Sequence, residues 1–129
     1  MTQPTILFYN LDHARAAVAA ATDLNIPITL QSAPGAAAYA GVGFLKAVVD
    51  EAGVSDAVND CGTDAGTAMA ALRAGWTRLV FSGDEAMTAK LTDMASQVGA
   101  TVGASGAGAL DLLDVADPSE ACRKFLSQD

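Results

Sequence analysis

The chain reads as a single α/β domain of three layers, spanning residues 1–129, with a mainly parallel five-stranded sheet between helices. Three observations predict it. Short apolar, β-branched runs alternate with longer stretches whose apolar residues recur at helical spacing. Asn25, Gly53, Gly75 and Gly99 stand where those helical stretches should stop. A length of 129 residues with 51% hydrophobic content suits one domain that can bury most of its unfolded surface.

Thr5-Ile6-Leu7-Phe8-Tyr9 reads as the first, buried strand. Asp12 is a good N-cap for a helix from His13 to about Asp23, packed through Ala16, Ala17, Ala20 and Leu24. The second strand is Pro27 to Leu30, and Ser32-Ala33-Pro34-Gly35 is a turn. A long helix should then run from Ala36 to Glu51, with Phe44, Leu45, Val48 and Val49 inward. Gly41 and Gly43 inside it cost helix stability, which suggests another backbone packing closely there.

Val54 to Asn59 is the third strand, interrupted by Ser55 and Asp56. A helix from Asp64 to Ala74 follows, then a fourth strand, Thr77 to Phe81. Ser82-Gly83-Asp84-Glu85 reads as a capping box. It opens a helix whose Met87, Leu91, Met94 and Val98 share a face. Ala100 to Ala104 is the fifth strand. After the Ser105–Gly108 turn, Leu110 to Val115 suits a sixth, antiparallel edge strand returning on the fifth as a hairpin. Asp117-Pro118-Ser119-Glu120 starts a last helix.

This rhythm implies helices on both faces of the sheet, and the preferred strand order is the doubly wound 2-1-3-4-5. Half of a (β/α) barrel is the alternative. It would leave an open apolar edge in need of a partner chain.

Fifteen acids against seven Lys plus Arg give a formal net charge of −8. That excludes a phosphate-neutralising nucleic-acid surface and an anionic-membrane surface. Cys61 and Cys122 make no disulfide framework. Met1-Thr2-Gln3-Pro4 opens directly into an apolar strand, so no signal sequence is expected, and the longest uncharged run, Gln31 to Leu45, is too short to span a bilayer. A cytoplasmic protein with reduced thiols is expected.

In an open parallel sheet, ligands bind beyond the strands' carboxyl ends where the order reverses. For 2-1-3-4-5 that crevice lies between strands one and three. It would gather Asn10, Asp12 and His13 with Asp60, Cys61, Gly62 and Thr63. Ser32 and Gly35 follow strand two, Ser82 and Gly83 follow strand four, and Ser105 follows strand five. Cys61, before a helix N-terminus, is the candidate nucleophile, with Asp60 beside it and His13 as candidate base. Against this, cysteine commonly packs as a small hydrophobe, and Asp60 and Asp64 would oppose a thiolate.

Backbone N–H groups at the helix starts favour an anion, so a small anionic metabolite is the expected partner. Neither a P-loop nor a dinucleotide fingerprint is present, and no cofactor is identified. Asp12, Asp60 and Asp84 are hard oxygen ligands in type, yet capping accounts for each, and no metal is assigned. A homo-oligomer would form through the helix carrying Gly41 and Gly43.

Asp12 after strand one, Asp60 at the end of strand three and Ser82 after strand four resemble positions of a bacterial response-regulator receiver domain. That resemblance implies a phospho-acceptor role for Asp60. The receiver's lysine after strand five has no counterpart, because residues 104–106 read Ala-Ser-Gly. The resemblance therefore implies a degenerate receiver, a non-catalytic regulatory or interaction module. Ala68 to Gly75, the following apolar strand and Ser82-Gly83 are also similar to one unit of a phosphate-binding barrel.

Overall fold

The computed structural model describes residues 3–104 and 108–128. The elements follow one another as β1 (Thr5–Phe8), α1 (Leu11–Leu24), β2 (Thr29–Ser32), α2 (Ala36–Ala40), α3 (Val42–Ala52) and β3 (Ala57–Asp60). Then come α4 (Ala65–Arg73), β4 (Arg78–Val80), α5 (Glu85–Gln97), β5 (Thr101–Gly103), β6 (Leu110–Asp111) and α6 (Pro118–Leu126). The chain is an α/β domain built on one parallel sheet.

The strand order is β5-β4-β3-β2-β1-β6, which replaces the expected 2-1-3-4-5. Each of the first four crossovers steps one strand in the same direction. A right-handed crossover repeated in one direction returns every helix to the same face. The helices accordingly pack in the series α6, α1, α3, α4, α5. The arrangement is two layers rather than three, and its winding is that of the half-barrel alternative.

Residue parity along the strands separates the faces. Ile6, Phe8, Leu30, Leu79 and Leu112 join the helices' Ala14, Ala17, Leu45, Ala68 and Leu91 in one buried cluster. Buried side chains of the size of Ile6 and Phe8 each contribute about 1.5–3 kcal/mol. Alanines at helical spacing let α1 lie close to α6 and α3. The opposite parity places Thr5, Thr29, Gln31, Val58, Arg78, Val80 and Thr101 on the helix-free face. Val58 and Val80 are buried, yet neither belongs to the helix-side cluster.

The link from β5 to β6 shows why that face is sheltered. These are the two edge strands, five strand spacings apart, or about 24 Å in a flat sheet. Only residues 104–109 join Gly103 to Leu110, a fully extended reach of about 23–25 Å. Leu110 also stands nearer the strands' N-terminal ends than Gly103 does, because β6 is parallel to β1 with Leu110 opposite Ile6. A flat sheet is out of reach, so the sheet curls, with its helix-free face concave. The expected antiparallel hairpin of strands five and six is thus corrected: β6 pairs only with β1.

Other local departures have simple causes. Asn10, not Asp12, caps α1, accepting from His13 N at 2.9 Å. Asp84, not Ser82, caps α5, accepting from Met87 N at 2.7 Å. The long second helix is broken in two at Gly41, whose φ of 92° continues no helix. No neighbour lies within 4 Å of where a Cβ would stand on Gly41 or Gly43, so no backbone among the described residues packs on them. Phe44 and Val98, expected inward, are largely exposed. Trp76 ties the outer layer to the start of α3, its Nε1 donating to Val42 O at 3.0 Å.

Candidate functional site

β2 lies between β1 and β3, so the expected crevice between those strands does not exist. The loops carrying His13 and Cys61 end strands two spacings apart, about 10 Å. His13 instead folds back on β1. Its Nδ1 accepts from Tyr9 N at 3.1 Å, which leaves the proton on Nε2. Burial lowers its pKa, against the opposing charges of Asp12 and Asp111. The Tyr9 ring meets it edge-on at 5.8 Å. Burial raises the Tyr9 phenol to about 12, helped by its hydrogen bond with Asp111.

Cys61 turns toward the helices and is part of the core. Its Sγ donates towards Asn59 Oδ1 at 3.4 Å. Burial, then the charges of Asp60 and Asp64, push the thiol up to about 12. Cys61 is thus a buried thiol, 5% exposed, whose surroundings favour its protonated form. Asp60 is a structural carboxylate. Its Oδ1 accepts from Gly62 N at 2.9 Å, and its own N–H donates to Ser32 Oγ at 2.8 Å.

The remaining rim residues are held by similar local work. Ser32 is fully buried in that bond. Gly35 and Gly62 take positive φ at turns, and Gly62 O accepts from Ser82 N at 2.7 Å. Thr63, Ser82, Asn10 and Asp12 are exposed. Gly83 is a packing glycine: a Cβ there would stand 2.3 Å from Phe81 Cζ. Ser105 lies outside the described residues. Among the described residues, no three His, Cys, Asp or Glu side chains are grouped to hold a metal, so Asp12, Asp60 and Asp84 do not converge. No helix of the described residues is long and apolar enough to cross a membrane.

One cavity lies on the concave face. It has a volume of about 690 Å³, within the usual range for small-molecule sites. Thr5, Thr29, Gln31, Val58, Arg78, Val80 and Thr101 line it from the strands, with Gln3, Asp56 and Gly108 at its margins. Thr29 and Gln31 are only 7% and 6% exposed. A parallel sheet covered on both faces would carry an apolar run at these positions; polar ones mark a face that is no core.

Asp56 organises one end. Its Oδ2 accepts from Gln3 Nε2 at 3.0 Å and from Thr29 Oγ1 at 2.5 Å, and its Oδ1 accepts from Arg78. Burial alone would raise its pKa. The hydrogen bonds from Arg78 and Thr29, with the charge of Arg78, outweigh burial and hold the carboxyl below its ordinary value. Sequence reasoning missed these residues. The available signal was polar Thr29, Gln31 and Arg78 within or at the ends of otherwise apolar strands.

Charge separates this cavity from the rim. Asp60, Asp64, Asp84, Asp111 and Asp114 stand at the strands' C-terminal ends or in the loops after them, and Asp12 stands in the first turn of α1. No Lys or Arg shares those loops. Arg78 and Asp56 both line the cavity, so its charges balance.

No protein-family model and no curated protein matches the chain. Among solved structures, the chain is similar to a putative fructose-1,6-biphosphate aldolase from Coccidioides immitis. The TM-score is 0.67 at 20% sequence identity, over 96% of this chain and 52% of that one. The chain thus spans about half the length of that protein, and what the two are shown to share is an α/β fold.

Proposed function

We propose that the protein binds a small anionic molecule in the concave-face cavity, with Arg78 holding the anionic group. One observation carries this reading. Arg78 is the only basic residue among the described residues lining the cavity, and its pair with Asp56 is rich in unused donors. A guanidinium offers five N–H groups in a planar fork matched to carboxylate or phosphate. Only one of its bonds, to Asp56, is made within the described residues. Asp56 has three of its acceptor sites filled, by Gln3, Thr29 and Arg78. The cavity therefore suits a ligand that accepts.

The acidic loops at the strands' C-terminal ends would repel such a ligand, so the proposed location is the concave face. Among the described residues the lining includes no His, Cys or Lys, and its carboxylate, Asp56, is engaged by Gln3, Thr29 and Arg78, so binding is the role proposed.

Amide-detected NMR titration with acetate and with inorganic phosphate at low ionic strength tests it. Shifts should cluster on Thr29, Arg78 and Thr101 and vanish in Arg78→Gln, while Cys61→Ser binds like the wild type. Shifts confined to Gly62, Thr63 and Ser82, unaltered by Arg78→Gln, would return the site to the rim and sink this reading.

A further inference from the structure

We infer that the ligand is a 2-hydroxycarboxylate, an acid whose hydroxyl sits beside its carboxylate; this rests on the anion reading of Arg78. The juxtaposition that carries it is Arg78 and Thr101. They are direct partners in the parallel register of β4 and β5, share the concave face and both line the cavity. The two side chains rise from adjacent strands about 4.8 Å apart, so a ligand whose carboxylate meets Arg78 can present a hydroxyl on the adjacent carbon towards Thr101.

The other threonine near Arg78's counter-ion is already committed. Thr29 Oγ1 donates to Asp56 and accepts from Gln3. The hydroxyl of Thr101 has no protein partner among the described residues, and a hydroxyl both donates and accepts, as a ligand hydroxyl requires. Val80, beside Arg78 on the same cavity wall, offers an apolar surface to a short carbon chain. A site that hydrogen-bonds a ligand hydroxyl discriminates against the analogue lacking it.

Matched titrations of the full chain with lactate and propionate, followed by NMR, test the inference. These probes differ only in the hydroxyl. Lactate should bind roughly 2- to 12-fold more tightly, the range of one net hydrogen bond. Thr101→Val keeps the β-branched shape on an edge strand, and its amide spectrum reports that the fold is intact. In that variant lactate should fall to the propionate affinity, with propionate unchanged. Arg78→Gln should lose both. Equal binding of the two acids by the wild type, or an equal loss of both in Thr101→Val, overturns the hydroxyl inference and leaves the anion reading standing. Absence of binding by both acids overturns the anion reading itself.

Discussion

Replacing Asp56 with alanine should destabilise the protein by about 1.5–4 kcal/mol, and the structure says which partner sets that figure. Asp56 collects donors from the start of the chain, from β2 and from β4. Gln3 is exposed and would be rehydrated when freed. The Arg78 side chain is 49% exposed, so its pair with Asp56 counts for about 0.5–1 kcal/mol. Thr29 is 7% exposed, and its hydroxyl would lose its acceptor inside the cavity wall, which costs about 1–3 kcal/mol. Thr29 therefore dominates. Urea unfolding of Asp56→Ala, Thr29→Val and the double variant should give a coupling of about 1 kcal/mol or more, larger than that between Asp56 and Arg78.

The pH dependence has a fixed sign. The folded-state pKa of Asp56 lies below its ordinary 3.8. Its contribution is therefore full above that value and is lost as pH falls through the folded value. Wild-type protein should lose, below about pH 4, stability that Asp56→Asn does not hold at any pH. A change within about 0.5 kcal/mol for Asp56→Ala at pH 7 would refute the reasoning. So would parallel stability curves for wild type and Asp56→Asn down to pH 3.

Two further outcomes follow from the rim. Gly83→Ala must displace the buried Phe81 ring, because the new Cβ would lie 2.3 Å from Cζ and 2.6 Å from Cε2; unfolding should register a loss of about 1–3 kcal/mol, and an unchanged midpoint would mean the ring swings aside freely. With thiols pushed up to about 12 and 11, Cys61 and Cys122 should resist an aromatic disulfide reagent at pH 8 until the protein is unfolded. Native-state labelling at the rate of a free cysteine would show that Cys61 is accessible as a thiolate after all.

The elements were legible because each is written locally. Asn25 takes the left-handed conformation that ends α1, and Asp117 accepts from Glu120 N at the start of α6, as their residue types suggest. The errors of two residues at Asn10 and Asp84 arise where two good caps stand close together and the backbone chooses between them. Gly41 was readable as a cost to a helix but not as its break, because only the observed φ distinguishes the two. Strand order was not legible at all. It is decided by the direction of each crossover step, and no local periodicity encodes that direction.

That one non-local choice moves the proposed site. With strand one between strands two and three, a crevice opens at the rim and Cys61 and His13 face each other across it. With β2 between β1 and β3, the same side chains are separated, and Cys61 turns into the helix layer. The winding that closes the crevice also leaves one sheet face without helices, and the short link from β5 to β6 requires the sheet to curl around that face. Thr29, Gln31 and Arg78 then have a physical reason to interrupt apolar strands: they face a cavity where polar groups find partners, and not a second helix layer that would bury them unpaired. In a doubly wound sheet these positions would be defects of several kcal/mol. The polar parity of the strands and the one-directional strand order are thus two consequences of a single architecture. The cavity, rather than the rim, is where the sequence departs from what packing alone would select.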